Sequence, residues 1–438
     1  MPQQVAGFPY WELSFDADGN QANPQEFGTL QSELPAQSLT DLFIFSHGWN
    51  NDRQMARNLY AQYFDQMRQV LARPGTRPNR AAKIGTVGII WPSMRWADET
   101  IPTARGGGAA SVSPEQPDAA LVQDLKTVFT DPHQQQALDG LAQLLTERPR
   151  SNQALEQFQE MMRQLATTPQ AVAAPEDNGE EQGLLNEPAE DVFDRFADVA
   201  QPDVRAGGAV SLGDVFDRLW AGAKEALRGA TYWQMKQRAG VVGKTGLGPA
   251  IAALRAAQPD LRIHLIGHSF GGRLVSFALS GLPTNAGPSP VKSVVLVQGA
   301  FSHFAFADAL PFDRGRSGAL KGVLQRVDGP VVVTHSGKDL AVGNLYPLGS
   351  IAGHDDAAAL GDDVEFRWGA MGFDGAQAVQ AANLNLGAVG QKYPFGVGAV
   401  INVDASRIIA TGDPPSGAHS DIFHPELAWI TLAAAGIV

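Results

Sequence analysis

Residues 261–277 read LRIHLIGHSFGGRLVSF. An apolar run from Leu261 to Ile266 ends in Gly267-His268-Ser269-Phe270-Gly271-Gly272, and a helix-like pattern begins at Arg273. This is Gly-x-Ser-x-Gly between a strand and a helix, the setting in which so short a motif carries chemical meaning. The reason is steric. The sharp turn forces the serine into a strained backbone conformation and brings neighbouring segments close, so only glycine fits at Gly267 and Gly271. The serine oxygen is then presented above the sheet at a helix N-terminus, where the dipole and free N–H groups favour developing negative charge. Ser269 is the candidate nucleophile.

With these residues the chain resembles the α/β-hydrolase family. The resemblance implies a mostly parallel central sheet with helices on both faces. It also implies a triad in the order serine, acid, histidine, with the acid after a later strand and the histidine before the last helix. Residues 329–335, GPVVVTH, read as a buried strand that runs into SGKDLAV. Thr334, Ser336, Asp339 and Val342 loosely match the family's acid-bearing stretch, which makes Asp339 the acid. Residues 398–403, GAVINV, read as another strand. GAHSDIF at 417–423 then leads into an apolar helical pattern from Pro425 to Ala435, and the resemblance makes His419 the general base.

Other residues compete for these roles. Of nine histidines, only His354, His419 and His424 follow Asp339. His354 sits in a Gly/Asp/Ala stretch with no strand before it, and His424, next to Pro425, reads as a helix start. Asp404 follows the strand that must precede the histidine. Asp421 is two residues from His419 and reads as a cap for the final helix.

The strand DLFIFS at 41–46 ends in His47-Gly48-Trp49-Asn50-Asn51. A His-Gly pair at the end of such an early strand is a feature of the family. It implies an oxyanion hole made by the backbone N–H groups of Trp49 and Phe270. The plainer reading is that His47-Gly48 closes a strand and Trp49 packs in the core.

Composition bounds the remainder. The chain has 438 residues, of which 44% are hydrophobic and 18% charged, ample for a large core. Acidic residues outnumber basic ones 46 to 33, a net charge of −13, and no basic run is interleaved with aromatics. That argues against nucleic acid as a partner. The absence of cysteine excludes disulfides, thiolate catalysis and cysteine-based metal sites. No HExxH or clustered His/carboxylate spacing suggests a metal, and no cofactor is expected. The N-terminus, MPQQVAGFPYWELSF, has neither a basic start nor an apolar stretch of signal-peptide length, and no apolar run approaches about 18 residues. The expectation is a cytoplasmic protein with no integral membrane segment.

Strands alternate with helical patterns, which predicts an α/β fold. Tyr10 to Phe15 and the chain from Gly28 suggest an antiparallel hairpin around Asp16–Asn20. A helix is expected from Asp52 to Leu71, then strands at Thr86–Trp91 and, after the nucleophile helix, Val291–Gln298. Residues 1–92 and 228–438 form the expected hydrolase core. Residues 93–227 are read as an inserted helical cap or lid, with a Gly-rich loop at Arg105–Ala110 and helices at Ala119–Thr130, Gln153–Leu165 and Leu212–Leu227. An acidic linker is expected at Ala173–Gln182. A second insertion, about Leu340 to Gly396, lies between acid and histidine, with an apolar stretch at Val364–Trp368. Two motifs carry no function. Gly243-Lys244-Thr245 resembles the end of a phosphate loop, but the glycine that pattern needs is replaced by Arg238. His264 alternates with apolar neighbours and reads as a core histidine.

The chemistry expected from these residues is ester hydrolysis through an acyl-enzyme on a small-molecule or lipid-like substrate. An acyltransferase would use the same acyl-enzyme, and a non-catalytic binding protein on this fold is a third reading. A serine at the elbow argues against a dehalogenase or an epoxide hydrolase, which need a carboxylate there.

Overall fold

The computed structural model describes residues 2–93, 118–129, 131–166, 187–200, 212–284, 288–345, 369–413 and 417–438. The expected Gly-rich loop at Arg105–Ala110, the acidic linker at Ala173–Gln182, the stretch Val364–Trp368 and His354 lie outside these residues.

A sheet of nine strands runs through the molecule: β1 (Gln3–Val5), β2 (Phe8–Ser14), β3 (Asp41–Ser46), β4 (Ile84–Ile90), β5 (Arg262–His268), β6 (Val291–Val297), β7 (Val331–His335), β8 (Ala381–Asn385) and β9 (Val400–Asp404). Their order across the sheet is β1-β2-β4-β3-β5-β6-β7-β9-β8. Only β1 runs antiparallel to its neighbour; the other pairings are parallel. The chain is therefore α/β with a mostly parallel sheet. The central strands are apolar throughout because both faces are covered, as parallel sheets require. Two buried clusters result. Leu42, Ile44, Leu265, Leu296 and Val333 face one side, and Phe43, Phe45, Ile266, Val295 and Val332 face the other.

Three local expectations need correction. At Asp16–Asn20 the chain turns back for only a single antiparallel bridge, Phe15 to Gln21, and the opening hairpin lies before it. It joins β1 to β2 through Ala6-Gly7, both at positive φ (50° and 77°), the backbone of a tight two-residue hairpin turn. After Asp16–Asn20 the chain enters a helix, Pro24–Gln37, rather than a strand. Asn23 caps that helix by accepting from Gln25 N, Pro24 opens it, and Leu30 and Leu34 bury one stripe. Second, one helix, Leu212–Val241, runs straight through residue 227, where the sequence reading ends the insertion. It continues through a π-helical turn, Val242–Leu247, into Gly248–Ala257. The Gly243-Lys244-Thr245 stretch lies in that turn against the helix Phe270–Ser280. A Cβ on Gly243 would sit 2.1 Å from the Leu274 carbonyl oxygen, so close packing explains its glycine. Third, β8 lies inside the second insertion and pairs with β9.

The insertion supplies helices Asp118–Val128, Pro132–Glu147, Asn152–Ala166, Ala189–Ala200 and the first part of Leu212–Val241. Leu125, Leu138, Leu141, Phe158, Phe193 and Trp220 pack together in its interior. Arg238, on the long helix, donates to the carbonyls of Pro92 and Val128, tying insertion to core.

At the N-terminal edge of the sheet His264 behaves as a satisfied core histidine. Its ring lies 2.8 Å from Ser293 Oγ through Nδ1 and 2.9 Å from Asp41 Oδ1 through Nε2. Burial holds the imidazole neutral, lowering its pKa despite the bond to Asp41, so Nε2–H donates and Nδ1 accepts from the serine. Burial pulls the Asp41 carboxyl upward, but hydrogen bonds from His264, Arg80 and Thr40 outweigh it and hold the pKa far below the usual range. Among the described residues no helix is long and apolar enough to cross a membrane.

Candidate active site

Ser269 follows β5 and occupies the N-cap position of the helix Phe270–Ser280 without a side-chain capping bond, with φ 56° and ψ −126°. Such a backbone is strongly disfavoured for a residue with a Cβ. The two motif glycines show what compels it. A Cβ on Gly271 would come 2.0 Å from Ser46 O, and one on Gly267 would come 2.4 Å from Gly271 O. The first turn of the helix is thus pressed against both β3 and the end of β5. Ser269 itself is anchored by its backbone: its N–H donates to Val297 O at 3.2 Å, and its carbonyl accepts from Gly272 N at 2.9 Å and Ala300 N at 3.2 Å.

The end of β3 passes directly over the serine. A Cβ on Gly48 would sit 2.6 Å from Ser269 Cβ, so the His47-Gly48 pair must carry glycine in second place. His47 is buried, lies 2.8 Å from Gly48 O through Nδ1, and stacks on Trp91 with centroids 5.5 Å apart. Burial pushes its pKa down to about 4, so the ring is neutral and Nδ1–H is the donor. Asn50 adopts φ 59°, and Asn51 Nδ2 donates to Trp49 O at 2.8 Å. The turn that carries the Trp49 N–H is thereby fixed beside Ser269. Phe270 opens its helix, and the N–H groups of a first turn have no intrahelical acceptor.

Asp339 and His419, far apart in sequence, meet. His419 Nδ1 lies 2.8 Å from Asp339 Oδ2. The carboxylate is fully buried and also accepts from Gln298 Nε2 at 2.8 Å and, through Oδ1, from Val342 N at 3.2 Å. Since the carboxylate accepts, His419 carries its proton on Nδ1 and leaves Nε2 as a base. Two further links hold the histidine loop. Ala418 N donates to Lys338 O at 3.0 Å, and His268 Nε2 donates to the carbonyl of His419 at 3.0 Å. The His268 and His419 rings lie 4.9 Å apart, which brings the candidate base beside the residue that precedes the serine. Ser269 and His419 are only 7% and 5% exposed.

The competing residues lie in structural roles. His424 Nε2 is 2.8 Å from Asp421 Oδ1 at the start of the helix Pro425–Ala434. The other Asp421 oxygen accepts from Ala410 N and Thr411 N. Asp404 accepts from Ser406. Three residues near the site were not singled out from sequence. His268 occupies a variable position of the motif. Gln298 follows the apolar run Val294–Val297, and a polar residue at that C-terminal end of β6 was the available signal. Tyr232, on the long helix from the insertion, packs its ring 5.8 Å from Trp49 and 5.1 Å from Phe270; nothing in its local sequence marks it.

Among the described residues, no cluster of three or more His, Asp or Glu is placed to hold a metal ion. Compared with protein-family models, curated proteins and solved structures, the chain gave no match.

Proposed function

We propose that this protein is a serine hydrolase of the α/β-hydrolase type that cleaves carboxylic esters through an acyl-enzyme on Ser269, His419 and Asp339. The observation that carries the reading is the buried Asp339–His419 hydrogen bond together with a strained serine at the head of a helix, whose preceding residue, His268, bonds to the His419 carbonyl. A serine alcohol is a weak nucleophile. His419 Nε2 takes its proton as Oγ attacks the ester carbonyl, and Asp339 holds the ring and stabilises the imidazolium. The tetrahedral oxyanion is met by the N–H groups of Trp49 and Phe270. His419 then returns the proton to the departing alcohol, and water attacks the acyl-enzyme by the same route in reverse.

The helical insertion is read as a cap that shapes the substrate pocket. The contact of Tyr232 with Trp49 and Phe270 supports this, because it puts a side chain of the helix leaving the insertion against both oxyanion residues. The near-complete burial of Ser269 and His419 favours a second reading, acyl transfer to an alcohol, since a dry site disfavours water as acceptor.

A p-nitrophenyl ester chain-length series, run with and without alcohol acceptors, and labelling by a fluorophosphonate probe test both readings. Ester turnover with labelling at Ser269 is expected. Product dominated by the transesterified ester would favour the transferase. An inert, unlabelled protein would overturn both and leave a binding role on this fold.

A further inference from the structure

Gln298 follows β6 directly, and its backbone sits at φ 50°. A non-glycine residue in this region carries backbone strain that glycine would avoid. Gly299 lies next in the chain, yet the positive φ falls on a glutamine, so the side chain is what the position keeps. That side chain is fully buried. Its Nε2 donates to Asp339 Oδ2 at 2.8 Å and to Gly372 O at 3.1 Å. Two acceptors facing one terminus decide the amide orientation. The other terminus, Oε1, then faces the Thr334 hydroxyl at 3.5 Å.

Asp339 Oδ2 is the same oxygen that accepts from His419 Nδ1. A carboxylate can rotate about its last bond and offer either oxygen. With Oδ1 taken by Val342 N and Oδ2 by Gln298, that rotation is blocked, and the His419 ring meets one oxygen in one direction. The amide is also neutral. It donates without adding the second negative charge that a glutamate would bring. We infer that Gln298 is a positioning residue, holding the Asp339 carboxylate so that His419 is presented as the base. The inference rests on the serine-hydrolase reading above.

A bland alternative exists: the amide only satisfies the Gly372 carbonyl, which already accepts from Ser336 N at 3.0 Å. Gln298→Asn separates the two. Asparagine is among the residues that best tolerate positive φ, and its amide is set back by one methylene and loses its reach to Asp339. A positioning role keeps the melting temperature at or above the parent's and lowers the fluorophosphonate labelling rate about tenfold or more. Gln298→Glu keeps the reach but places an ionisable carboxyl beside Asp339. Two carboxyls that close share one proton, and loss of that proton puts a second negative charge beside the imidazolium, so the acid limb of the labelling-rate profile is displaced from the parent's.

Both results support the proposal. Parent-like labelling of Q298N together with a Q298E profile superimposed on the parent's would overturn it. So would failure of Q298N to fold, which would make the bonds structural. The parent protein is measured first: if Ser269 is not labelled there, the hydrolase reading falls and takes this proposal with it. Parent labelling with indifferent variants removes this proposal alone.

Discussion

His268 Nε2 donates to the backbone carbonyl of His419 at 3.0 Å, and the two rings lie 4.9 Å apart. The residue before the candidate nucleophile therefore holds the main chain of the candidate base. This link bypasses the substrate altogether, so the histidine loop is tied to the end of β5 before anything binds.

The same ring is part of a pH dependence of stability. Burial pushes His268 down to about 3 and His47 down to about 4. In the unfolded chain each takes a proton near about pH 6.5. Below that value the unfolded state binds more protons than the folded one, so stability is full above about pH 6.5 and falls as the pH drops toward about 4. The slope is up to ~1.4 kcal/mol per pH unit for each histidine. The melting temperature should fall across this window, and less steeply in His268→Gln. Equal slopes in parent and variant would remove His268 from this account.

Ser269→Ala should abolish ester hydrolysis and phosphonate labelling by several orders of magnitude while leaving the fold intact, because alanine has the same Cβ. Activity within about threefold of the parent's would sink the nucleophile assignment.

Ser269→Gly should do something alanine does not. At φ 56° the serine carries strain that glycine lacks, so the variant should be inactive yet more stable by roughly 1 kcal/mol. Chemical denaturation of S269A and S269G side by side measures the difference. An S269G no more stable than S269A would mean that the elbow stores no strain.

The paired glycines 271 and 272 should respond oppositely. A Cβ at Gly271 meets the Ser46 carbonyl at 2.0 Å, a backbone atom that cannot swing away, whereas at Gly272 the nearest atom is the Phe301 ring at 3.4 Å. Gly271→Ala should cost roughly 3 kcal/mol or more, and Gly272→Ala should stay within about 1 kcal/mol of the parent. Thermal melts of the two proteins decide it. Similar losses at both sites would contradict the close approach of helix and β3.

Tyr232→Ala should alter which esters are preferred without touching the chemistry. Its ring borders Trp49 and Phe270, so its loss should raise KM for longer or aromatic acyl groups and spare the acetate ester. An unchanged chain-length profile in a folded variant would place Tyr232, and the long helix with it, outside the pocket.

The strand–turn–helix at Ser269 was legible because steric necessity writes itself into residue types: apolar residues for a doubly covered strand, glycines where backbones nearly touch. Asp339 and His419 were reachable because each follows a recognisable strand in a definite order along the chain. Residues 381–385, AANLN, could not be read as a strand: they lack β-branched or aromatic residues and lie at the sheet edge, where one neighbour suffices. The Ala6-Gly7 turn hid behind a three-residue strand too short to show alternation. Tyr232 meets partners far away in sequence, and no local pattern reports on such contacts; Gln298 showed only as a polar residue at the end of its strand.

The Asp41–His264–Ser293 chain near the N-terminal ends of the central strands bears on how sites of this kind are sought. It offers an acid, an imidazole and a hydroxyl at 2.9 Å and 2.8 Å. A search template built on interatomic spacing alone would retrieve it beside Ser269. Yet Ser293 lies within β6, buried and paired with His264 of β5 beside a shift in strand register, while Ser269 stands at a strained turn between strand and helix. Templates that score the torsion angles of the hydroxyl-bearing residue, and not merely the company it keeps, would discard the decoy.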